Sequence, residues 1–231
     1  MLTQAEWAVI LLSLKVSLVA VGFTLPIAFG LAWLLARARF HGKLLLDAFV
    51  HLPLVIPPVV TGWLLLIAFG RTGPVGRFLE ATLGLTLMFR WTGAALAAAV
   101  MALPLMVRAM RLSIEAVDIR LEQAARTLGA SPLRAFLTIT LPLSLPGIVA
   151  GAVLGFARSI GEFGATISFV SNIPGETQTL PLAIYAALQI PGGGAAVTRL
   201  ALVSVMLSLV ALIASELIVR RRRDARTYHV L

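Results

Sequence analysis

The chain has 231 residues, of which 59% are hydrophobic and 13% are charged, and its formal net charge is +9. Ordinary globular domains are about 45–50% apolar and about 25% charged, so a soluble core cannot absorb this much apolar surface. The composition excludes a soluble domain and predicts one integral membrane domain over residues 1–231. The charge does not indicate nucleic-acid binding, because the basic residues lie between apolar runs without aromatic side chains to stack on bases.

Five apolar segments are long enough to cross a bilayer as helices, which requires about 20 residues each. In chain order they are about 8–36, 45–70, 91–112, 143–171 and 198–219. A sixth apolar piece, about 179–190, has only twelve residues. That length suits a short re-entrant or interfacial outer helix better than a full crossing. The expected fold is therefore all-α, with five transmembrane helices.

The first two segments carry residues that are unusual at membrane depth. The first is interpreted as a retained span, because the N-terminal MLTQAEW has no basic residue and the apolar run after it is too long for a cleaved signal. Lys15 lies about 12 Å inside this span. Its amine can extend to the outer interface, or it can attract an entering anion. Pro53, Pro57 and Pro58 prevent a regular helix in the second segment.

Three stretches hold 13 of the 19 Lys and Arg residues. They are Arg37, Arg39 and Lys43 after the first segment, Arg108, Arg111, Arg120, Arg126 and Arg134 from the end of the third segment onward, and five arginines of the tail. With five crossings, all three stretches lie on one side of the membrane. Basic residues accumulate on the cytoplasmic side, which predicts an outside N-terminus and a cytoplasmic C-terminus. A sixth crossing at 179–190 would place the arginine-rich tail outside, and it is rejected for that reason. The residues of this tail are Arg220, Arg221, Arg222, Arg223 and Arg226.

Residues 118–141 form the largest predicted cytoplasmic loop, which we call the elbow. Asp118 is placed to cap a short amphipathic helix that Gly129 ends. Ser131 and Pro132 are placed to begin a second short helix at an angle to the first. The elbow is therefore predicted to be two surface helices.

Pro142 and Pro146 are predicted to mark the return of the chain to the bilayer. The apolar face of the first elbow helix is half alanine, which favours close packing in a groove of a partner protein. The alternative is a loop that lies on lipid headgroups. The residues of this face are Leu121, Ala124, Ala125 and Leu128.

The fourth segment carries small residues at every fourth position and one pair of charges. Gly147, Gly151 and Gly155 predict a face for close helix packing, and a further hypothesis places this face near a subunit interface where it slides. Arg158 and Glu162, four residues apart, form either a neutralising pair or a gate at which Glu162 discourages anions from lingering.

Neutral polar residues are the other candidates for a pathway. Thr61, Thr166 and Ser168 carry hydroxyls that could replace water around a tetrahedral anion without trapping it. The sequence has no cysteine and no P-loop, so no ATP hydrolysis and no cofactor is expected in this subunit. The three histidines share no metal-binding spacing, and no metal site is predicted. They are His41, His51 and His229.

The elbow resembles the cytoplasmic EAA loop of ABC importer permeases. That pattern is E-A-A, three residues, G, nine residues, I, one residue and L-P, and the elbow fits it in register at Ala124-Ala125, Gly129, Ile139 and Leu141-Pro142. Gln123 stands where the pattern has Glu, so the acidic contact to the partner is shifted to Glu122 or replaced by an amide. The resemblance implies ATPase-coupling roles for Glu122, Gln123, Ala124, Ala125, Arg126, Leu128, Gly129, Ser131, Pro132 and Leu133.

The resemblance extends over nearly the whole chain. HLPLVIPPVVTG, LEQAARTLGASPLRAF and FARSIGEFGATISFVSNIPGETQTLP are similar to stretches of the molybdate permeases, and sulfate and tungstate permeases share much of the pattern. It implies a type I importer fold and a homodimer in the bacterial inner membrane. It also implies two cytoplasmic subunits that bind ATP and Mg, and a periplasmic oxyanion-binding protein.

The sequence therefore predicts the permease subunit of an ATP-driven oxyanion importer, with molybdate as the anion and sulfate or tungstate as the alternative. One rival is an ion-coupled secondary transporter, which would carry ionisable residues near the midplane and an internal repeat. Neither feature is found by inspection. The other rival is a membrane scaffold that transports nothing.

Overall fold

The structure, a computed structural model, is all-helical. It describes residues 2–227, with the side chains of 215, 216 and 218–227 outside the described part. The helices are α1 (Gln4–Arg37), α2 (Lys43–Val55), α3 (Pro58–Phe69), α4 (Pro74–Leu83), α5 (Trp91–Glu115), α6 (Ile119–Thr127), α7 (Pro132–Ala135), α8 (Leu141–Ile160), α9 (Gly164–Val170), α10 (Leu180–Leu188) and α11 (Gly194–Thr227). A π-helical turn, Phe136–Thr140, joins α7 to α8 without a break.

Contacts between α1 and α5 define the two ends of a helix bundle. Lys15, in the first half of α1, lies 3.7 Å from the ring centroid of Trp91, the first residue of α5. Leu35, near the end of α1, shares a core cluster with Ile114, near the end of α5. The two helices therefore run in the same direction. We call the end that holds Leu35 and Ile114 the elbow end, and the end that holds Trp91 the opposite end.

The chain returns from the elbow end to the opposite end through α2 and α3. Asp47 in α2 pairs with Arg111, near the end of α5, at 3.1 Å. Phe69, at the end of α3, packs on the core cluster that contains Ala94, near the start of α5. Together α2 and α3 therefore cover the length of the bundle.

The predicted second segment, 45–70, is therefore a bent pair of helices rather than one irregular span. α2 and α3 meet at an angle of 115°. The bend falls at Ile56 and Pro57, because consecutive prolines offer no backbone N–H to a helix and disfavour helical geometry in the residue before them. Pro58 then serves as the first residue of α3, where the missing N–H leaves no bond unmade.

The core is built around α5, which packs against both α1 and α8. Ala97, Ala98 and Ala102 are almost fully buried in α5. Their small side chains allow neighbouring helix backbones to approach closely, which is how helices associate where lipid offers no hydrophobic driving force. Four helices of the described residues are long and apolar enough to cross a membrane, and the bent pair adds a fifth if it is counted as one crossing.

The predicted start of the fourth segment, residue 143, is wrong. The prediction of a separate second helix in the elbow is also wrong. Residues Pro132–Ile160 form one continuous helix, and Pro142 lies inside it without breaking it. A proline lacks the N–H for the carbonyl four residues earlier, and a π turn immediately before Pro142 accommodates this without a break. The second half of the elbow is therefore the first part of the long helix.

The end of the same segment is also wrong, because 143–171 is not one helix. The long helix stops at Ile160, and the chain turns over Gly161 to Phe163 before α9 begins. The turn allows α9 to pack on α3, where a side chain at Gly164 would meet Pro58 at 2.8 Å. The packing of α9 on α3 therefore ends the long helix at Ile160, although the sequence stays apolar beyond it.

The remaining predicted segments differ from the observed helices mainly at their ends. The predicted 8–36, 91–112 and 198–219 lie within α1, α5 and α11, and 179–190 contains α10. α4 was missed because its ten residues are too few and too polar to resemble a span, although Gly84 in the left-handed conformation ends it recognisably. The side chains of the arginine-rich tail, Arg220–Arg223 and Arg226, and the whole of His229 lie outside the described residues.

Candidate coupling elbow and translocation pathway

Local hydrogen bonds form the first helix of the elbow as its sequence predicts. The Asp118 carboxylate accepts the N–H of Arg120 at 2.9 Å, which satisfies a donor at the start of α6. Gly129 has a φ of 90°, and the N–H of Ala130 returns to the carbonyl of Ala125 at 3.0 Å. A left-handed residue after a helix satisfies its last carbonyls in this way, and glycine adopts that conformation without strain.

The long helix begins by the same rules two residues later. The Ser131 hydroxyl accepts the N–H of Arg134 at 3.3 Å, and Pro132 occupies the first helical position. Two helix ends with defined caps therefore frame the turn at Gly129. The elbow is held in one shape by its own backbone chemistry.

The outer surface of the elbow exposes large apolar side chains. Leu128 is 90% exposed and Leu133 is 67% exposed. Gln123, Ala124 and Arg126 are also exposed, while Ala125 is half-buried. Exposed leucines beside basic and amide side chains form an amphipathic surface that suits a protein groove.

The inner surface of the elbow carries Glu122, which faces its own chain. Its carboxylate accepts the hydroxyl of Thr140 and lies 3.4 Å from the guanidinium of Arg37. Arg37 also donates to the backbone carbonyl of Val117 at 3.0 Å. Glu122 therefore has two intramolecular partners, and its expected contact to a partner protein stays a prediction.

Two of the pathway candidates lie buried where α3 meets α9. Thr61 in α3 is 4% exposed and Thr166 in α9 is 2% exposed. Ser168 donates to the carbonyl of Gly164 at 2.9 Å. A side chain at Gly62 would lie 2.5 Å from the carbonyl oxygen of Ala165, so the two helices are in direct backbone contact. The structure therefore brings these three hydroxyl residues to one helix junction at the opposite end.

The Thr61 hydroxyl has no hydrogen-bond partner among the described residues. Thr61 also lines an apolar cavity of about 440 Å³ in the angle between α2 and α3. A buried hydroxyl without a partner is costly in an apolar medium. It is therefore a group that can bind water or a passing polar solute.

Arg158 and Glu162 form an ion pair at the break between α8 and α9. Nη1 of Arg158 lies 2.6 Å from Oε2 of Glu162, which is 2% exposed. The other carboxylate oxygen accepts the N–H of Ala165 at 2.8 Å. Glu162 therefore neutralises the charge of Arg158 and binds the N–H of Ala165, which has no helical partner at the start of α9. This geometry agrees with the prediction of a neutralising pair.

The three glycines of the predicted packing face all point at α5 of the same chain. A side chain at Gly147 would lie 2.1 Å from Cβ of Ser113, and one at Gly155 would lie 2.6 Å from the sulfur of Met106. Gly151 faces Met110 at 3.1 Å. The described contact of this face is therefore within one subunit.

Sequence reasoning missed several paired charges because their partners are far apart in the chain. Arg37 and Arg111 were considered only as orienting charges, yet Arg111 pairs with Asp47 and with Glu115, at 2.7 Å, around a cavity of about 320 Å³. At the opposite end Arg199 binds the carboxylate of Glu6 at 2.7 Å and joins α11 to α1. Of these pairs, only Arg111 with Glu115 could have been predicted from the sequence, because the two residues are four apart.

The fold and the elbow define a class of protein, and comparison with known families agrees. Residues 25–224 match the binding-protein-dependent transport system inner membrane components. The chain belongs to this family of importer permeases, as its resemblance predicted. Permeases of this class leave ATP hydrolysis to a separate subunit, and this chain is accordingly not itself an enzyme.

Relatives with particular names cover nearly the whole chain. The molybdenum transport system permease protein ModB of Escherichia coli (strain K12) is 58% identical over 223 residues, which cover 96% of this chain and 97% of that one. The protein of the same name from Haemophilus influenzae is 57% identical over 216 residues, or 94% of each chain. ModB of Mycobacterium tuberculosis is 43% identical over 185 residues, which cover 79% of this chain and 69% of that one.

Solved structures show the same fold at low sequence identity. The methionine ABC transporter MetNI, in an inward-facing conformation, has a TM-score of 0.74 at 20% identity and covers 96% of this chain and 99% of its own. A bacterial alginate ABC transporter, in complex with an alginate-bound periplasmic protein, has a TM-score of 0.75 at 19% identity, with 95% and 80% covered. The chain therefore has the all-helical fold of ABC importer permeases.

Proposed function

We propose that this chain is the membrane-spanning permease of an ATP-driven molybdate importer and that two copies form the translocation pathway. The observation that carries the proposal is the 58% identity, over 96% of the chain, to a permease named for molybdenum transport. The resemblance to these permeases implies that the protein lies in the bacterial inner membrane.

The proposed topology has five crossings, with the N-terminus outside and the elbow and C-terminus in the cytoplasm. The bent pair of α2 and α3 counts as one crossing, because α1 and α5 run in the same direction and the chain must return between them. Basic residues at the elbow end support a cytoplasmic elbow. The N-terminal end of α1 and the start of α11 then lie together on the outer side, joined by Glu6 and Arg199.

The proposed partners are a second copy of the chain, two cytoplasmic ATPase subunits that bind ATP and Mg, and a periplasmic oxyanion-binding protein. The exposed leucines of the elbow support docking of the ATPase, since Leu128 and Leu133 present apolar surface that none of the described residues covers. The anion itself would be selected by the binding protein. The membrane subunit would then offer weak neutral sites from which the anion readily leaves.

The proposed mechanism transmits movement from the elbow to the opposite end. Closure of the ATPase subunits on ATP displaces the elbow, and the elbow is continuous with the helix Pro132–Ile160 and one turn away from α5. These helices move as rigid bodies and shift the junction of α3 and α9. The pathway thereby alternates between outward-facing and inward-facing states.

The test is transport by the reconstituted complex of this chain with its ATPase and binding protein in proteoliposomes. We expect ATP-dependent accumulation of molybdate, and competition by tungstate and sulfate ranks the three anions. Preference for sulfate would overturn the assignment of molybdate but not the importer class. Uptake that needs a proton gradient and no ATP would instead favour a secondary transporter.

A second set of variants distinguishes a permease that conducts the anion from a membrane scaffold that transports nothing. Deletion of 122–129 is expected to abolish ATP-driven uptake, because the ATPase loses its point of attachment. Thr61→Val and Thr166→Val keep the shape of the α3–α9 junction and remove only hydroxyls. Reduced uptake by these variants in a fully assembled complex supports a pathway role, whereas a scaffold would transport no anion in any variant.

A further inference from the structure

Three side chains from different helices meet behind the elbow, and we call them the clasp. Glu122 of α6 accepts the hydroxyl of Thr140, the last residue of the π turn, through the same oxygen that lies 3.4 Å from Arg37. Arg37, the last residue of α1, donates to the carbonyl of Val117 at 3.0 Å. One carboxylate thus connects the elbow to α1 and to the base of the long helix.

The clasp is shielded from water to different degrees along its length. Thr140 is fully buried, and the side chains of Arg37 and Glu122 are 16% and 27% exposed. Hydrogen bonds to an ionised carboxylate are stronger than neutral ones, and partial burial reduces the screening that weakens surface ion pairs. The clasp is therefore stronger than an ordinary surface contact, and it involves none of the exposed side chains of the elbow.

The clasp closes over the one π-helical turn in the described residues, Phe136–Thr140. A π turn replaces the regular hydrogen-bond pattern of the helix and is a place where a helix can bend. Without a restraint, a force on α6 could be absorbed by bending at this turn. The bond from Glu122 to Thr140 ties the elbow to the far side of the turn, so a force on α6 reaches α8 directly.

We propose that Arg37, Glu122 and Thr140 make the elbow, α1 and the long helix one rigid unit, so that Glu122 is an intramolecular positioning residue rather than a contact to the ATPase. This inference rests on the proposed function, because a rigid unit matters only if the elbow transmits force. Gln123, the exposed neighbour at the acidic position of the EAA pattern, remains available for the partner.

The proposal predicts uncoupling rather than loss of assembly. Thr140→Val and Arg37→Gln each remove part of the clasp and leave the outer surface of the elbow unchanged. We expect ATPase binding to persist while molybdate transported per ATP hydrolysed falls about tenfold, since a buried hydrogen bond to a charged group is lost. Matched controls are Thr138→Val on the same turn and Arg39→Gln two residues beyond α1, both at exposed positions.

A cross-link provides a readout that a purely structural role would not change. The sequence has no cysteine, so Glu122→Cys with Thr140→Cys places two unique thiols in the permease. The folded complex is expected to be uncoupled before treatment and to regain transport per ATP when a short bifunctional thiol reagent joins the two positions. Wild-type permease with the same reagent controls for thiols in the other subunits.

The two hypotheses fail in different ways. A double-cysteine complex that is fully coupled before cross-linking, or that stays uncoupled after it, contradicts the clasp. So does loss of ATPase binding on Thr140→Val alone. A wild-type complex that hydrolyses ATP without accumulating molybdate contradicts the proposed function instead.

Discussion

At the elbow end, Leu128 and Leu133 are largely exposed, whereas at the opposite end Thr61, Thr166 and Glu162 are buried. The elbow turns apolar side chains outward and keeps its carboxylate inside. The opposite end turns its polar groups inward, where α3 and α9 touch through their backbones. An exposed apolar surface is available to a partner, and a buried polar junction is available to a solute only when helices move apart.

The difference separates two tasks within one subunit. The elbow end has the features of a docking surface with a rigid support behind it. The opposite end has the features of a closed barrier, because Gly62 and Gly164 allow α3 and α9 to pack closely and Arg158 is paired with Glu162. The four predictions below test this division, from the largest expected effect to the smallest.

Leu128→Asp is expected to weaken ATPase binding by about 30-fold or more, since truncating a central interface residue costs about 2 kcal/mol or more. Co-purification of the ATPase with the detergent-solubilised permease measures this. Leu188→Asp is the matched control, because Leu188 is also exposed but lies at the opposite end. Equal loss of the ATPase in both variants would remove the distinction between the two ends.

Gly62→Val is expected to destabilise the permease by about 2 kcal/mol, because overpacking a tight contact forces helices apart. Even a first side-chain atom at this position would meet a backbone oxygen of α9. The measurement is thermal unfolding in detergent, with Gly22→Val on α1 as control, since no atom lies within 4 Å of a side chain built there. An unchanged melting temperature would mean that α3 and α9 are not in contact.

Glu162→Ala is expected to destabilise the permease by about 2 kcal/mol, because Arg158 and the N–H of Ala165 both lose their acceptor. The reading of Glu162 as a gate makes a different prediction, a changed KM for transport with little change in stability. Thermal unfolding and transport kinetics of the same variant distinguish the two. Arg158→Gln combined with Glu162→Gln should recover part of the stability if the two side chains act as a pair.

Lys15→Met is expected to have the smallest effect, about 0.5–1 kcal/mol, the size of an exposed cation–π contact. The amine lies over Trp91 rather than free in a pathway. Transport at low molybdate concentration should therefore stay near the wild-type rate. A large loss of uptake with unchanged stability would restore the reading of Lys15 as an attractive charge for the anion.

Local signals were sufficient for the parts of the elbow that depend on nearby residues. Asp118, Gly129, Ser131 and Pro132 act within three or four residues of their partners, and the structure has each at its predicted helix end. The same is true of the pairing of Arg158 with Glu162. These features follow from backbone hydrogen bonding, which is decided over a single helical turn.

Signals of longer range were misjudged where packing competes with composition. The run 143–171 is apolar throughout, yet the helix ends at Ile160 because α9 packs on α3 instead. Pro142 was expected to mark the return of the chain to the bilayer, and it lies within one continuous helix just after a π turn. In the first case the apolar run is outweighed by packing on another helix, and in the second the backbone of the same helix adjusts.

The sequence by itself determined that this is a membrane protein with a capped elbow and no P-loop, because hydrophobic length, capping residues and motif spacing are properties of neighbouring residues. Only the tertiary structure decided that Glu122 faces Arg37 and Thr140 and that the long helix ends where α9 packs on α3. These contacts join residues that lie far apart in the chain and come near each other only when the helices pack.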